Sequence, residues 1–344
     1  MGNDQWAMTN DQTVEKAMNG NLVEVQGLRK WFPVQRSFVE RLVTRQRQFV
    51  HAVDGVDFEI RSGEVFGLAG ESGSGKTTTG RLVVRLVDPT AGHILFQGTD
   101  LAALGEEEMR QMRRHMQVIF QDPHASLNPR MTIGDAIGHS LEIFGIARGE
   151  AKRQAVMEMM ERVGLTPASA LYEKFPHQLS GGQRQRAVIA RALVLHPKLV
   201  VADEPIAMAD VSVRALLLEL MLRLKEDFNL TYLFITHDLA TAKYICNRIA
   251  VMYLGKIVEV GTLQQVYGNP QHPYTQALLA AVPVPDPKAR RRHPMPKGEI
   301  PSPLNPPPGC RFHPRCPAAR AECSQIEPTL REVEPGHRVA CLPL

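Results

Sequence analysis

No stretch of this sequence reaches the eighteen or so consecutive apolar residues that a membrane-spanning helix requires. Residues 1–21 are polar, lacking both the cationic start and the apolar stretch of a secretion signal, and read as a flexible tail. If such a chain works at a membrane, other chains must hold it there. Cysteine is scarce and unevenly placed: of five, Cys246 stands alone, while Cys310, Cys316, Cys323 and Cys341 lie near the end. Without a secretion signal the expected compartment is reducing, which disfavours disulfides. Neither charge sign dominates. Forty Lys and Arg against 36 Asp and Glu leave +4, which suits nucleotides or anionic headgroups and selects neither. A clustered basic reading helix and a long heptad insertion are also missing, which argues against a partner made of nucleic acid.

What is present begins with a length of 344 residues, enough for a full core plus a smaller appendage, and a hydrophobic content of 44%, which is globular. The chain is organised around Gly70, Glu71, Ser72, Gly73, Ser74, Gly75, Lys76 and Thr77. An apolar run (Val65, Phe66, Gly67, Leu68, Ala69) leads in, and a helix-compatible run from Thr78 to Val87 follows. Strand, glycine loop and helix in that order make a phosphate cradle. The glycines let backbone N–H groups turn toward oxygen, Lys76 adds positive charge near the outer phosphates, and the Thr77 hydroxyl suits Mg²⁺.

Three further apolar runs each end on a polar residue: Val118, Ile119 and Phe120 before Gln121; residues 199–202 before Asp203 and Glu204; residues 232–236 before His237. Continuous apolar runs separated by helical stretches read as parallel strands buried on both faces, and ligands bind at the carboxyl ends of such strands. On that reading Gln121 faces the metal or the attacking water, Asp203 is a Mg²⁺ partner, Glu204 accepts a proton from water, and His237 contacts the γ-phosphate. Each also has a plain reading: a turn residue before Asp122-Pro123, a strand cap, a core histidine. Upstream, residues 22–25 read as an edge strand, followed by Lys30, Trp31 and Phe32, whose aromatics suit packing or stacking on a purine. Residues 33–49, with Arg36, Arg41, Arg45 and Arg47, read as a solvated insertion.

Between 128 and 178 the apolar spacing turns helical, as in Val156, Met157, Met160 and Val163. This insertion ends at Leu179, Ser180, Gly181, Gly182 and Gln183, before a helix from Arg184 to Leu195. Ser180 with Gln183 fits a capping box, and the same glycine-rich helix start offers N–H groups to an anion. A later helix from Val211 to Phe228 is expected to put Leu216, Leu217, Leu220 and Leu224 on one core face.

In their order, the glycine loop, Gln121, Leu-Ser-Gly-Gly-Gln, Asp203-Glu204 and His237 resemble the complete motif set of an ATP-binding-cassette ATPase over residues 22–268. The resemblance implies an α/β fold: a P-loop nucleotide-binding cassette with a parallel core sheet, an antiparallel edge sheet and a helical insertion at 128–178. It implies ATP and Mg²⁺ as ligands, with Thr78 completing the phosphate site and Phe32 as the adenine-stacking aromatic, Trp31 beside it in reserve. Two cassettes in that family close head to tail, so this chain needs a second one, itself or a related subunit. One departure stands out. After Pro205 the family usually reads Thr-Ser-Ala-Leu-Asp, and here the residues are Ile206, Ala207, Met208, Ala209 and Asp210. Ala207 has no hydroxyl to bond across a dimer, which favours an asymmetric heterodimer.

Beyond 268 the composition shifts, with twelve of the 25 prolines falling in residues 283–317, which excludes long helices and central strands there. Arg290, Arg291 and Arg292 read as a solvated linker. Residues 269–279 and 298–317 resemble the small, irregular, Cys-containing C-terminal extension on ATPase subunits of oligopeptide and dipeptide importers, the Lys-Trp-Phe-Pro opening being closer to the F-type subunit. That resemblance implies two membrane-spanning permease subunits, an extracytoplasmic peptide-binding protein, a peripheral position on the cytoplasmic face of the inner membrane, and no nucleic acid. A nickel or other small-solute importer, or a cassette ATPase acting on nucleic acid or ribosomes, is the alternative. The four late cysteines are separated by five, six and seventeen residues, which fits neither common zinc-finger nor short ferredoxin spacing. By resemblance they are expected to hold a [4Fe-4S] cluster, with zinc second and unligated thiols third.

Overall fold

The computed structural model describes residues 20–34, 48–282 and 298–342. Most of the N-terminal tail, the insertion arginines at 36, 41, 45 and 47, and the arginines at 290–292 lie outside the described residues. The strands in chain order are β1 (Asn21–Pro33), β2 (Phe49–Arg61), β3 (Val65–Ala69), β4 (Ala91–Phe96), β5 (Thr99–Asp100), β6 (Met116–Ile119), β7 (Leu199–Asp203), β8 (Thr231–Thr236), β9 (Arg248–Tyr253), β10 (Lys256–Thr262), β11 (Arg331–Glu334) and β12 (His337–Val339). The longer helices are α1 (Lys76–Val83), α2 (Ile133–Ile143), α3 (Gly149–Arg162), α4 (Gly181–Leu193), α5 (Val211–Phe228), α6 (Leu239–Ile245) and α7 (Pro273–Ala280). None is long and apolar enough to cross a membrane.

The chain divides into two compact units. The first gathers the described residues up to Ile60, those from Phe66 to Ala102, and those from Thr236 onward. It holds an antiparallel sheet in the order β2-β1-β4-β5, with Val23 opposite Phe96 and Val25 opposite Ile94. All four of these side chains are buried. β1 is therefore an interior strand running to Pro33, not the short edge strand expected at 22–25. Hydrogen-bonding partners on both sides, seventy residues away in the case of β4, decide what a local pattern does not. The unit also carries the strand order β11-β12-β10-β9-β3, in which β3 runs parallel to β9 and the rest pair antiparallel. The irregular C-terminal segment thus ends in two strands that extend a core sheet. β3 is buried throughout, and a Cβ at Gly67 would press on the Cys246 sulfur, so that cysteine is packing material. α1 starts at Lys76 and stops at Val83, short of Val87, because Arg85 takes a left-handed φ of 48° and Leu86 turns outward.

The second unit comprises residues 61–65 and 103–235. Its parallel strands run β6-β7-β8, with Ile119 opposite Ala202 and Asp203 opposite Ile235. β7 and β8 are buried at every position, which is why they read as unbroken apolar runs. The helical stretch forms as α2 and α3, Thr132 capping the first by accepting from the Asp135 N–H. On α3 the inward residues are Val156, Met159 and Met160, with Val163 at its C-cap; Met157 is half-buried instead. On α5, Leu217, Leu220 and Leu224 are buried while Leu216 is 54% exposed. Both misplacements have one cause: adjacent helical residues differ by about 100° in direction, so one shifted position leaves the core face.

Candidate functional site

The glycine loop leaves β3 at Gly70, whose φ of 151° and missing Cβ are both required, since a Cβ would collide with the Met252 carbonyl. Gly75 caps α1 with φ 106°, and a Cβ there would collide with the Ala52 carbonyl. The first-turn N–H groups of α1 accordingly start at the loop. Lys76 is 5% exposed and folds across the loop, its Nζ donating to the Gly70 carbonyl at 2.7 Å and the Glu71 carbonyl at 2.9 Å. A phosphate group entering this curve competes with two carbonyls for one ammonium. Ser72 and Gly73 are exposed, Thr77 and Thr78 half-buried, and Ser74 is buried with its carbonyl accepting from the Gly255 N–H at 2.8 Å.

Glu71 is anchored from far along the chain. Its N–H donates to the Tyr274 hydroxyl at 2.9 Å, and its carboxylate takes both terminal nitrogens of Arg315, at 2.9 and 3.3 Å. Burial pushes the Tyr274 phenol up. Of the two candidate aromatics, Trp31 is already committed: its ring lies 4.5 Å from the His51 ring and its Nε1 donates to Asp54 at 3.2 Å. Burial pushes Asp54 up, but Arg311 and Lys256 outweigh it and hold its carboxyl below the usual range. Phe32 is 38% exposed, with the Lys30 ammonium 5.1 Å from its ring centre. His237 is exposed on a turn fastened on either side: the Asp238 N–H donates to Thr236 Oγ1 at 2.9 Å, and Asp238 Oδ1 accepts from the Ala240 N–H at 2.9 Å.

In the second unit three expected residues come together. Asp203 closes β7 at 6% exposure, Glu204 follows with a left-handed φ of 48°, and Gln121 Nε2 donates to Glu204 Oε2 at 2.8 Å. A non-glycine residue at that φ costs of order 1 kcal/mol. The Glu204 N–H, donating to the Ile235 carbonyl at 2.9 Å, helps hold it there. Ser180 caps α4 in a full capping box: its Oγ accepts from the Gln183 N–H at 3.2 Å and its N–H donates to Gln183 Oε1 at 3.0 Å. A Cβ at Gly181 would meet open space, so nothing among the described residues demands glycine there. The altered residues 206–209 are tied down by Gln185, whose Nε2 donates to the Pro205 carbonyl, and by Arg214, whose Nε donates to the Ala209 carbonyl at 2.9 Å.

The four late cysteines form no disulfide with one another, and all line one cavity of about 230 Å³ together with Phe312 and His313. Burial pushes Cys310 and Cys316 up and Cys341 to about 12. Among the described residues no three His, Cys, Asp or Glu side chains stand close enough to hold a metal ion. The soft donor set expected for a cluster is present and shares a cavity, without a closed ligand arrangement among the described residues. His337 Nε2 lies 2.8 Å from Glu259 Oε1. Tyr274, Arg311, Arg315 and Gln185 escaped the sequence reading. The one signal for the arginines was their place inside the Cys310 to Cys316 stretch, which was read for its cysteines and its importer resemblance and not for its charges.

A glycine loop between a buried parallel strand and a helix, on this strand order, defines a P-loop ATP-binding cassette. The description "ABC transporter" matches residues 53–207, and "Oligopeptide/dipeptide transporter, C-terminal region" matches 258–323. A putative peptide import ATP-binding protein of Brucella ovis is 49% identical over 321 residues, 93% of this chain and 97% of that protein. The oligopeptide transport ATP-binding protein AppF of Bacillus subtilis is 46% identical over 93% of this chain and 96% of its own length. A solved dimeric ATP-binding cassette in a post-hydrolysis state, bound to ADP and Pi, superposes with a TM-score of 0.60 at 26% identity, covering 70% of this chain and 98% of the other. The chain belongs to the ABC transporter family, in the branch carrying the oligopeptide/dipeptide transporter C-terminal region, and is an ATP hydrolase.

Proposed function

We propose that this chain is the ATP-hydrolysing subunit of a peptide importer, bound peripherally at the cytoplasmic face of the inner membrane. The observation that carries this reading is the importer-type C-terminal region at 258–323 on the same chain as the cassette. The proposed organisation is a cassette over 22–268, with the helical insertion at 128–178 facing two permease subunits, and an extension over 269–344. A second cassette subunit completes the dimer, and an extracytoplasmic binding protein delivers peptide. The hydroxyl-free Ala207 favours a partner that is not identical.

Lys76 and the amides of residues 70–78 hold the β and γ phosphates, and Phe32 stacks on adenine. Thr77, Gln121 and Asp203 are the oxygen donors that would hold Mg²⁺, a hard ion that would neutralise phosphate charge when bound. Glu204 takes the proton of the attacking water while Gln121 orients it, and His237 steadies the γ-phosphate. Ser180, Gly181, Gly182 and Gln183 serve the partner's nucleotide; the open space at Gly181 and the donors of a helix start support that role. Binding closes the dimer and hydrolysis reopens it. Cys310, Cys316, Cys323 and Cys341 are the residues that would hold an iron–sulfur cluster, which would cross-link the extension.

The test is reconstitution with the membrane subunits in vesicles. Labelled peptide should accumulate with ATP inside the cytoplasmic-face compartment, and Lys76→Ala should stop it. Accumulation of nickel but not peptide, or uptake indifferent to Lys76→Ala, would contradict the reading. Iron and sulfide analysis of the same complex decides the cluster.

A further inference from the structure

The stretch from Cys310 to Cys316 carries two arginines four residues apart, and each reaches out of it. Arg311 donates to the Leu254 carbonyl and to Asp54, which fastens the stretch to the sheet. Phe312 is 1% exposed and wedged among Tyr253 and Tyr274, with ring centres 5.3 Å away in both cases. Arg315, 9% exposed, lies over the Tyr253 and Phe312 rings and makes the two-pronged contact with Glu71 described above. Tyr274, itself fully buried, holds the N–H of the same glutamate.

These contacts bear on a loop that has little stiffness of its own. Gly70, Gly73 and Gly75 all take positive φ, and glycine has the largest conformational freedom to lose. Between the first two of them stands Glu71, whose side chain and backbone are both held from the C-terminal segment. Its carbonyl in turn accepts from Lys76 and from the Ser74 N–H at 3.2 Å. A planar guanidinium gripping a carboxylate by two bonds fixes direction as well as distance, and does so more firmly where water is excluded.

We propose that Arg315 is a positioning residue for the phosphate loop: it clamps Glu71 and, with Tyr274, keeps the loop in its phosphate-ready shape. The clamp makes the cysteine-bearing segment a strut for nucleotide binding. It rests on the proposed phosphate role of residues 70–78.

The experiment titrates the full-length chain with a fluorescent ATP analogue and follows melting without nucleotide in parallel. Losing one charge-assisted bidentate contact should weaken binding about tenfold in Arg315→Ala. Glu71→Gln should lose a similar factor, and the double variant no more than either single one, because both remove the same contact. Arg315→Lys, which keeps the charge and loses the fork, should fall between; it carries the test if Arg315→Ala does not fold. The exposed Arg320, changed to Ala, should bind as the wild type does. Unaltered affinity in folded Arg315→Ala or Arg315→Lys, or losses that multiply in the double variant, would overturn the clamp alone. A wild-type chain with no affinity for nucleotide would instead overturn the phosphate role of the loop and the clamp with it.

Discussion

The glycine loop and the four-cysteine segment are the two chemically dense parts of this chain, and they are built in opposite ways. In the loop, consecutive residues supply the chemistry: the bend, the charge and the helix start all lie within Gly70 to Thr77. In the cysteine segment the thiols are spread from 310 to 341, and they line a common cavity without closing on one another. Chemistry written in consecutive residues is nearly determined by the backbone. Chemistry assembled over distance depends on packing, and here that packing gives the segment a second task, gripping Glu71 across 244 residues of sequence.

The contrast can be broken most severely at Lys76. Lys76→Ala removes the ammonium that donates to the loop carbonyls of Gly70 and Glu71, and hydrolysis by the assembled ATPase should drop about 10² to 10³-fold. Steady-state phosphate release measures it. A gentler probe uses two glycines. Gly70→Ala forces a Cβ onto the Met252 carbonyl at a positive φ and should cost about 2 to 4 kcal/mol in denaturant unfolding. Gly181→Ala meets open space and should change unfolding by less than about 0.5 kcal/mol while slowing turnover of the dimer.

On the C-terminal side, His272 sharpens the comparison through pH. Its Nδ1 accepts from the Tyr274 N–H at 3.1 Å, which requires the neutral ring, and burial pushes it down to about 4, with Glu259 pulling the other way. A base whose folded value is depressed stabilises the fold fully above its ordinary value of 6.5. That contribution is lost as pH falls from about 6.5 toward 4, by up to about 3 kcal/mol. His272→Asn, which keeps an acceptor at the cap, should flatten stability over that window relative to wild type. The smallest effect belongs to Met208, 66% exposed within the altered segment; Met208→Ala should stay within about 0.5 kcal/mol of wild-type stability.

Much of the fold was legible because its signals are short-ranged. β7 and β8 are continuous apolar runs since both faces are covered, and the Ser180 to Gln183 capping box formed as its four residues dictate. The place of β1 was not legible, because whether a strand is interior depends on β4 pairing beside it. Met157 and Leu216 failed by a single helical step each. Of the residues expected to face nucleotide, Gln121 and Glu204 were named from strand ends and do meet. Nothing in the sequence ties Arg315 or Tyr274 to the loop, since their partner Glu71 looks like any other residue inside a glycine motif. The cysteines show the reverse case: four of them in sequence promise a ligand set, but closure of that set is a matter of tertiary distance.

The most direct measurement is made on Glu204→Gln in the assembled ATPase, with nucleotide binding and hydrolysis read on the same sample. The substitution keeps the shape and leaves Gln121 an oxygen to donate to, but removes the proposed proton acceptor. ATP should bind with wild-type affinity, and turnover should fall about 10²-fold or more. Hydrolysis at the wild-type rate would show that the carboxylate beside Asp203 is not where water is activated.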